Sequence, residues 1–355
     1  MTQNVLPGRG SPGHDQVEER VDSTASHRSS PTSPVHGTRP ASATPGHGHA
    51  ASVVASDADL LATALPFLEA GLRAGDLVAL TCPDETTALI CEALGEQATS
   101  VESEPRMSLL GSRAPDALTM CRRFVERASG TGSGRLRVLA DIDFGTDPAD
   151  WREGQRFEAV FNRLMGEAPV GAICMYDERR LSRQLIESAA ATHPILVRGT
   201  QWDVNGLFQD PGTNVPALPL PRAPVENGNP VFVVENAPSL PGLRHQIGAV
   251  LAVSVPDREQ REDLHLAVAE IAANAFRHGT PPIAARLWSN GDQIVCTISD
   301  RGTSWGDPFS GYLPAHGFDL SNGGMGLWLA RKLWDHVDVL PGPDGLTVRL
   351  SSRLR

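Results

Sequence analysis

Glu270 and Asn274 are the residues of this sequence whose types and spacing most directly suggest chemistry. They lie four positions apart in a stretch with helical periodicity, so both side chains would project from one face of a helix. A carboxylate can accept a proton, and an amide oxygen can bind a hard cation such as Mg²⁺. Taken alone, the pair is more typical of the solvated side of an amphipathic helix that begins near Asp263. The residues that such a helix would pack inward are Leu264, Ala267, Val268 and Ile271.

Two glycine-containing patterns downstream of this helix favour a shared site instead. A segment that alternates as a strand leads directly into Asp300 and Gly302. Gly323, Gly324 and Gly326 then stand at the start of another helical pattern, where free backbone N–H groups and the helix dipole would favour a phosphate. Each pattern is a weak signal by itself, but their order along the chain is specific.

In this order, residues 235–352 resemble the gyrase, Hsp90, histidine-kinase and mismatch-repair (GHKL) ATPase superfamily, and within it the bacterial anti-sigma-factor serine/threonine kinases. The resemblance implies a Bergerat-type α/β sandwich domain that binds ATP and Mg²⁺. It also implies that Asn274 holds the Mg²⁺ ion and that Glu270 is catalytic, as the general base. Asp300 would receive the adenine amino group, with Gly302 giving the base room.

The remaining residues of the motifs carry roles by the same resemblance. Gly324 and Gly326 would close over the phosphates, Gly323 would support the turn, and Thr347 would lie near adenine and its aspartate. The family often has a further glycine where this chain has Ser304. This departure leaves open how strongly the nucleotide is bound.

A histidine kinase is the nearest competing class, but it needs a phospho-accepting histidine on a two-helix hairpin ahead of the ATPase. Residues 231–263 have room for only one strand and one helix, and His245 is the only candidate acceptor there. His245 lacks the acidic neighbour of such acceptors and is more typical of a helix surface.

The leading hypothesis is therefore a cytoplasmic regulator that acts as an ATP-dependent serine/threonine kinase and anti-sigma factor in a partner-switching pathway. Its partners would be a sigma factor and an anti-sigma-factor antagonist protein, and the family resemblance implies a homodimer. Two alternatives stay open. One is a catalytically weak nucleotide-binding scaffold that sequesters a sigma factor, and the other is an orphan sensor histidine kinase.

Composition limits the other classes of function. The 355 residues suggest two domains with accessory segments, and the net charge of −11 argues against direct nucleic-acid binding. The five cysteines are odd in number and widely spaced, which fits reduced intracellular thiols better than a disulfide framework. Neither a signal peptide nor a membrane-spanning stretch is recognisable, so we expect a cytoplasmic protein with no membrane association.

The sequence divides into four parts. Residues 1–46 are rich in small and polar residues and are predicted to be disordered, because they cannot bury enough apolar surface. Residues 47–210 alternate strand and helix patterns, which predicts a mostly parallel sheet. The closely spaced prolines of residues 211–230 predict an extended linker to the ATPase domain at 231–355. The fold class is thus α/β plus α+β.

Short motifs between residues 47 and 194 resemble the MEDS sensory domain, a RecA-like α/β module named for methanogen, methylotroph and DcmR-type regulators. The resemblance implies that this domain senses a ligand without a P-loop. A P-loop is also excluded directly, because Lys332 is the only lysine in the chain. By resemblance alone, His49, Tyr176 and His193 are candidate pocket residues.

Overall fold

The computed structural model describes residues 45–302, 307–314 and 325–355. All of these residues fall within one compact unit of the chain. Residues 1–44 of the predicted disordered tail lie outside the described residues, as do Ser304, Gly323 and Gly324.

Residues 48–204, here called the N-terminal region, form a seven-stranded sheet with helices between the strands. Its strands are β1 (Gly48–Val54), β2 (Leu77–Thr81), β3 (Val101–Ser103), β4 (Leu136–Asp141), β5 (Val170–Asp177), β6 (Ile195–Arg198) and β7 (Gln201–Val204). Its helices are α1 (Asp57–Ala74), α2 (Asp84–Leu94), α3 (Ala114–Ala128), α4 (Pro148–Met165) and α5 (Arg183–Thr192).

The strand order of this sheet is β3-β2-β4-β5-β1-β6-β7. All neighbouring strands are parallel except β7, which runs antiparallel to β6. Every residue of β4 and β5 is buried, as expected for central strands that helices cover on both faces. The structure therefore confirms the predicted mostly parallel sheet.

Residues 232–353, here called the C-terminal region, form a five-stranded antiparallel sheet in the order β11-β12-β10-β9-β8. The strands are β8 (Phe232–Val234), β9 (Ala284–Ser289), β10 (Gln293–Asp300), β11 (His336–Gly342) and β12 (Gly345–Arg353). Helices α7 (Leu240–Ser254), α8 (Arg258–His278) and α9 (Gly326–Leu333) share one hydrophobic core with this sheet. Trp334 is fully buried in that core and donates its indole N–H to the carbonyl of Leu264.

The predicted extended linker is wrong in part. Within residues 211–230 the structure has a short helix, α6 (Pro211–Ala217), and a 3-10 turn at Pro224–Asn227. Both begin with proline, whose fixed φ suits the first position of a helix and whose missing N–H costs nothing there. Asp210 caps α6 by accepting a hydrogen bond from the Thr213 backbone N–H. Closely spaced prolines thus start helical turns as well as enforcing extended backbone.

The N-terminal and C-terminal regions meet through buried ion pairs centred on Asp338 of β11. Asp338 Oδ1 lies 2.7 Å from Arg156 of α4, and Oδ2 lies 3.4 Å from Arg152 of the same helix. Oδ2 also lies 2.6 Å from Arg349 of β12. Burial alone would raise the pKa of Asp338, but the three arginines outweigh burial and hold that pKa well below its usual range.

A second contact between the regions involves residues 307–314, which lie between Gly302 and Gly326 in the sequence. Tyr312 is fully buried in a hydrophobic cluster whose other buried members all belong to the N-terminal region. The guanidinium of Arg331 in α9 lies 4.2 Å from the centroid of the Tyr312 ring, and burial raises the pKa of Tyr312 to about 12. The segment is therefore anchored in the neighbouring region of the molecule.

A search of the described residues finds no helix with the length and apolar character needed to cross a membrane.

Replacing Asp338 tests the buried ion pairs between the two regions. Asp338→Asn leaves three buried arginines without their shared charge, so we expect the free energy of unfolding to fall by about 3 kcal/mol or more in urea denaturation. Glu235→Gln is the matched control, because the Glu235 and Arg286 pair is exposed and should change stability by less than about 0.5 kcal/mol. Equal losses in both variants would show that the buried pairs do not stabilise the structure.

Candidate functional site

Helix α8 places Glu270 and Asn274 on one half-buried edge. It begins five residues earlier than the predicted start near Asp263, because Asp257 caps it by accepting a hydrogen bond from the Gln260 backbone N–H. The four residues predicted to pack inward are all buried. The side chains of Glu270 and Asn274 therefore lie at the border of the core and stay partly exposed.

The start of helix α9 lies directly against this pair. A Cβ atom built on Gly326 would lie 2.6 Å from Asn274 Nδ2 and 3.5 Å from Glu270 Cβ. Any side chain at position 326 would thus collide with the amide, and only glycine allows this close approach. The structure brings Glu270, Asn274 and Gly326 together, although Gly326 is more than fifty residues away in the sequence.

Two arginines surround the carboxylate of Glu270. Arg244 Nη2 of α7 lies 3.4 Å from Oε1, and Arg277 Nη2 of α8 lies 3.8 Å from Oε2. We did not predict either arginine from the sequence. The position of Arg277, seven residues after Glu270 on the same helix face, is a signal that could have identified it.

Asp300, the last residue of β10, is oriented by backbone N–H groups. Its Oδ1 accepts hydrogen bonds from Thr280, at 3.1 Å, and from Gly302, at 2.7 Å. Arg301 N–H also donates to the carbonyl of Thr280, which joins the end of β10 to the chain that follows α8. Among the described residues nothing donates to Asp300 Oδ2, so this oxygen can accept a hydrogen bond from a ligand.

Glycine is needed on both sides of this carboxylate. A Cβ atom at Gly302 would lie 2.7 Å from Asp300 Oδ1, and one at Gly279 would lie 2.8 Å from Asp300 Oδ2. A side chain at either position would displace the carboxylate or its hydrogen bonds. The glycines therefore fix where the carboxylate oxygens point.

The structure does not bring Thr347 to the carboxylate of Asp300. The Thr347 hydroxyl lies 2.8 Å from that of Ser299, its direct partner across β10 and β12. Consecutive residues of a strand point to opposite faces of the sheet, so Ser299 and Thr347 share the face opposite to the side chain of Asp300. Leu346 is the residue paired with Asp300.

A cleft of about 690 Å³ lies along this other face of the sheet. Its lining includes Thr297, Ser299, Thr347 and Arg349 together with Asp300, but neither Glu270, Asn274 nor Gly326. The cleft therefore reaches the end of β10 but not the edge of α8.

The three candidate residues of the N-terminal region also lie together. The ring centroids of His49 and His193 are 4.1 Å apart, and Tyr176 meets the His193 ring edge-on at 5.7 Å. All three side chains are buried. Glu158 and Cys174 belong to the same cluster and were not predicted, because no sequence spacing connects them with the histidines.

Comparison with known families matches both regions of the chain. Residues 48–194 match the MEDS family, the methanogen/methylotroph, DcmR sensory domain. Residues 233–352 match the histidine kinase-like ATPase domain.

Individual relatives cover the same two parts. The transcriptional repressor DcmR of Methylorubrum extorquens is 25% identical over 155 residues, which are 41% of this chain and 58% of that protein. The serine-protein kinase RsbW of Bacillus pumilus is 31% identical over 109 residues, which are 27% of this chain and 67% of that protein. The RsbW of Bacillus licheniformis is 35% identical over 26% of this chain and 64% of that protein.

The fold and these matches define a protein that joins a MEDS domain to a histidine kinase-like ATPase domain. Through its ATPase domain the chain belongs to the family of RsbW-like, anti-sigma-kinase-like proteins within the GHKL superfamily.

The different placement of Asp300 and Thr347 gives a test of the adenine site that the family resemblance predicts. In Asp300→Asn an NH₂ group would replace the accepting Oδ2, so affinity for Mg·ATP should fall about 30- to 100-fold in isothermal titration calorimetry. Thr347→Ala should change it less than about threefold, because its hydroxyl faces the other side of the sheet. Comparable losses in both variants would place Thr347 at the adenine after all.

Proposed function

We propose that this chain is a cytoplasmic signalling regulator: an ATP- and Mg²⁺-dependent serine/threonine kinase and anti-sigma factor in a partner-switching pathway, modulated by its N-terminal sensory domain. The observation that carries the proposal is the meeting of Glu270, Asn274 and Gly326 at one edge of α8. The similarity to RsbW kinases supports it.

The residues at this edge fit a Mg²⁺-bound nucleotide. Asn274 offers a hard oxygen of the kind Mg²⁺ accepts, and the glycine at position 326 lets the start of α9 approach its amide closely. Bound Mg²⁺ would neutralise charge on the phosphates. The backbone N–H groups at the start of α9 would face the same phosphates, and Asp300 Oδ2 would accept a hydrogen bond from the adenine amino group.

Glu270 would act as the base for the acceptor hydroxyl. In the transfer step the serine proton passes to the Glu270 carboxylate, the serine oxygen bonds to the γ-phosphorus, and the bond from phosphorus to the ADP oxygen breaks. The acceptor would be a serine on an anti-sigma-factor antagonist. A sigma factor would be the second partner, and a second copy of this chain would complete a homodimer.

The contacts of Glu270 also support the second candidate function, a scaffold that sequesters a sigma factor without phosphorylating anything. Arg244 and Arg277 contact both carboxylate oxygens of Glu270 in this structure. In a scaffold this carboxylate would only hold the two arginines and would accept no proton.

A histidine kinase is less well supported. Residues 231–263 are all described and contain strand β8, helix α7 and the first turns of α8, in line with the predicted single strand and helix. His245 lies on the exposed side of α7, as predicted.

The test of the kinase is phosphate transfer from labelled ATP to a panel of antagonist proteins. Glu270→Gln should lower transfer at least about 100-fold and leave the affinity for Mg·ATP within about threefold of the wild type, because only proton acceptance is lost. The control is Glu259→Gln, an exposed glutamate in the first turn of the same helix.

The outcomes separate the three classes of protein. Undiminished transfer in Glu270→Gln would remove the assignment of the base. If the wild-type chain binds a sigma factor tightly and transfers no phosphate, the scaffold is correct. Acid-labile autophosphorylation would identify a histidine kinase.

Modulation by the N-terminal region is supported by the anchoring of residues 307–314. This segment connects Gly302 with Gly326, and Tyr312 holds it in the hydrophobic core of the N-terminal region. A change in that core would therefore reach the chain on both sides of the proposed nucleotide site.

Two substitutions of Tyr312 test this coupling. Tyr312→Ala should weaken Mg·ATP binding at least about tenfold, because residues 307–314 lose their anchor in the N-terminal region. Tyr312→Phe keeps the packing and removes only a buried hydroxyl that bonds to none of the described residues, so its affinity should stay within about twofold of the wild type. If calorimetry gives the same affinity for both variants, the anchor does not influence the nucleotide site.

A further inference from the structure

Four side chains of metal-binding type meet in the interior of the N-terminal region. His49 comes from β1, Glu158 from α4, Cys174 from β5, and His193 from the junction of α5 and β6. At most 5% of the surface of each residue is exposed, and one potential ligand atom from each lies within 4.8 Å of the others. We define these four residues as the buried His₂CysGlu cluster.

The distances within the cluster suit a tetrahedral ion. Glu158 Oε2 lies 3.0 Å from His49 Nε2 and 3.3 Å from His193 Nε2. Cys174 Sγ lies 3.2 Å from His49 Nε2 and 3.5 Å from Glu158 Oε2. The ligand atoms of a tetrahedral zinc site are about 3.3 to 3.8 Å apart. Four of the six distances in this cluster are close to these values, and the other two are at most 4.8 Å.

A hydrogen bond at Nδ1 of His193, on the side of the ring away from the cluster, determines which ring nitrogen carries the proton. Nδ1 of His193 lies 2.9 Å from the carbonyl oxygen of Ala189. A carbonyl can only accept, so Nδ1 carries the hydrogen. Nε2 is therefore left with a lone pair that faces the cluster.

The ring of His49 is fixed in the same way by Asn162. The Asn162 amide nitrogen donates to the carbonyls of Glu158 and Thr192, at 3.0 and 2.6 Å. This orients the amide oxygen toward His49 Nδ1, 3.1 Å away, which must then be the donor. Both histidines thus point an Nε2 lone pair into the cluster, the arrangement that metal-binding histidines adopt when their other nitrogen is hydrogen-bonded.

A single proton does not satisfy the polar atoms of this cluster. His193 Nε2 and Glu158 Oε1 are buried and make no hydrogen bond to any described residue, although Nε2 lies 3.3 Å from the carboxylate. A proton shared by His49 and Glu158 would leave the His193 lone pair facing a carboxylate oxygen. One divalent cation would be attracted to all four residues, and its charge would balance a thiolate and a carboxylate in a buried place.

We propose that His49, Glu158, Cys174 and His193 form a buried four-ligand site for a zinc-type divalent transition-metal ion. Thiolate and imidazole ligands select such ions over Mg²⁺ and Ca²⁺, which prefer oxygen. Because the protein supplies four ligands, the ion has no open position and holds the fold together as structural zinc does.

The site would tie α4 to the central strands of the sheet. Glu158 of α4 turns toward His49 and Cys174, and Arg156, two residues earlier, turns away from the cluster to Asp338. Loss of the ion would therefore loosen the helix that contacts the C-terminal region. This connection comes in addition to the contacts of Tyr312.

The test uses the full-length chain, produced without a polyhistidine tag in medium containing Zn²⁺ and then desalted. We expect elemental analysis to find about one zinc per chain. Replacement by Co²⁺ should give the visible bands of a tetrahedral site together with thiolate-to-cobalt charge transfer in the near ultraviolet. Removal of the metal by a chelator should lower the melting temperature by about 5 °C or more.

Two cysteine variants show whether the thiolate is a ligand. Cys174→Ser should lose the charge-transfer band and most of the zinc, while Cys82→Ser, at another buried cysteine of the same region, should keep both. The surface histidines are the same in all three proteins, so metal bound adventitiously would stay in Cys174→Ser.

A wild-type chain that retains no transition metal, or whose Co²⁺ form lacks the thiolate band, would overturn the proposal. Metal content that is unchanged in Cys174→Ser would do the same. The wild-type spectrum decides the question by itself if that variant does not fold.

Discussion

The buried carboxylate of Asp338 is the interaction on which the arrangement of the two regions depends. It receives Arg156 and Arg152 from α4, on the N-terminal side, and Arg349 from the neighbouring strand β12. Charges that are this deeply buried tolerate little displacement, because an unpaired guanidinium in the interior costs several kcal/mol. The ion pairs therefore specify one relative position of α4 and the C-terminal sheet.

The two sides of helix α4 make different buried polar contacts. Toward the sheet, Glu158 joins the buried His₂CysGlu cluster, and toward the C-terminal region Arg156 joins Asp338. Because α4 is a rigid helix, a displacement at the buried His₂CysGlu cluster would also disturb the ion pair between Arg156 and Asp338 on its other side. In this way the helix links the interior of the N-terminal region to the sheet that also carries Asp300.

At the edge of α8, the absence of side chains matters as much as their presence. Gly326 lets the start of α9 approach Asn274, and Gly279 and Gly302 let backbone N–H groups and chain segments approach Asp300. The functional groups themselves are common, and each alone would be an ordinary surface residue. Close approach of the backbone turns them into a site with a fixed direction for each oxygen.

The sequence by itself determined the mostly parallel N-terminal sheet, the inward face of α8 and the candidate residues Glu270, Asn274, Asp300 and Gly326. These follow from periodicity and from short motifs, which act over a few neighbouring residues. It also showed that the segment before α8 lacks a phospho-acceptor hairpin. The extended linker was wrong in part because proline can equally begin a helical turn, as at Pro211.

Only the tertiary structure decided which distant residues meet. Arg244 beside Glu270, Tyr312 in the core of the N-terminal region, and Glu158 with Cys174 beside two histidines are contacts between separate elements. The face on which Thr347 lies was also decided there, because a shift of one position in a strand moves a side chain to the opposite face of the sheet. Local patterns contain no information about such contacts, since packing and buried charge act between residues far apart in the chain.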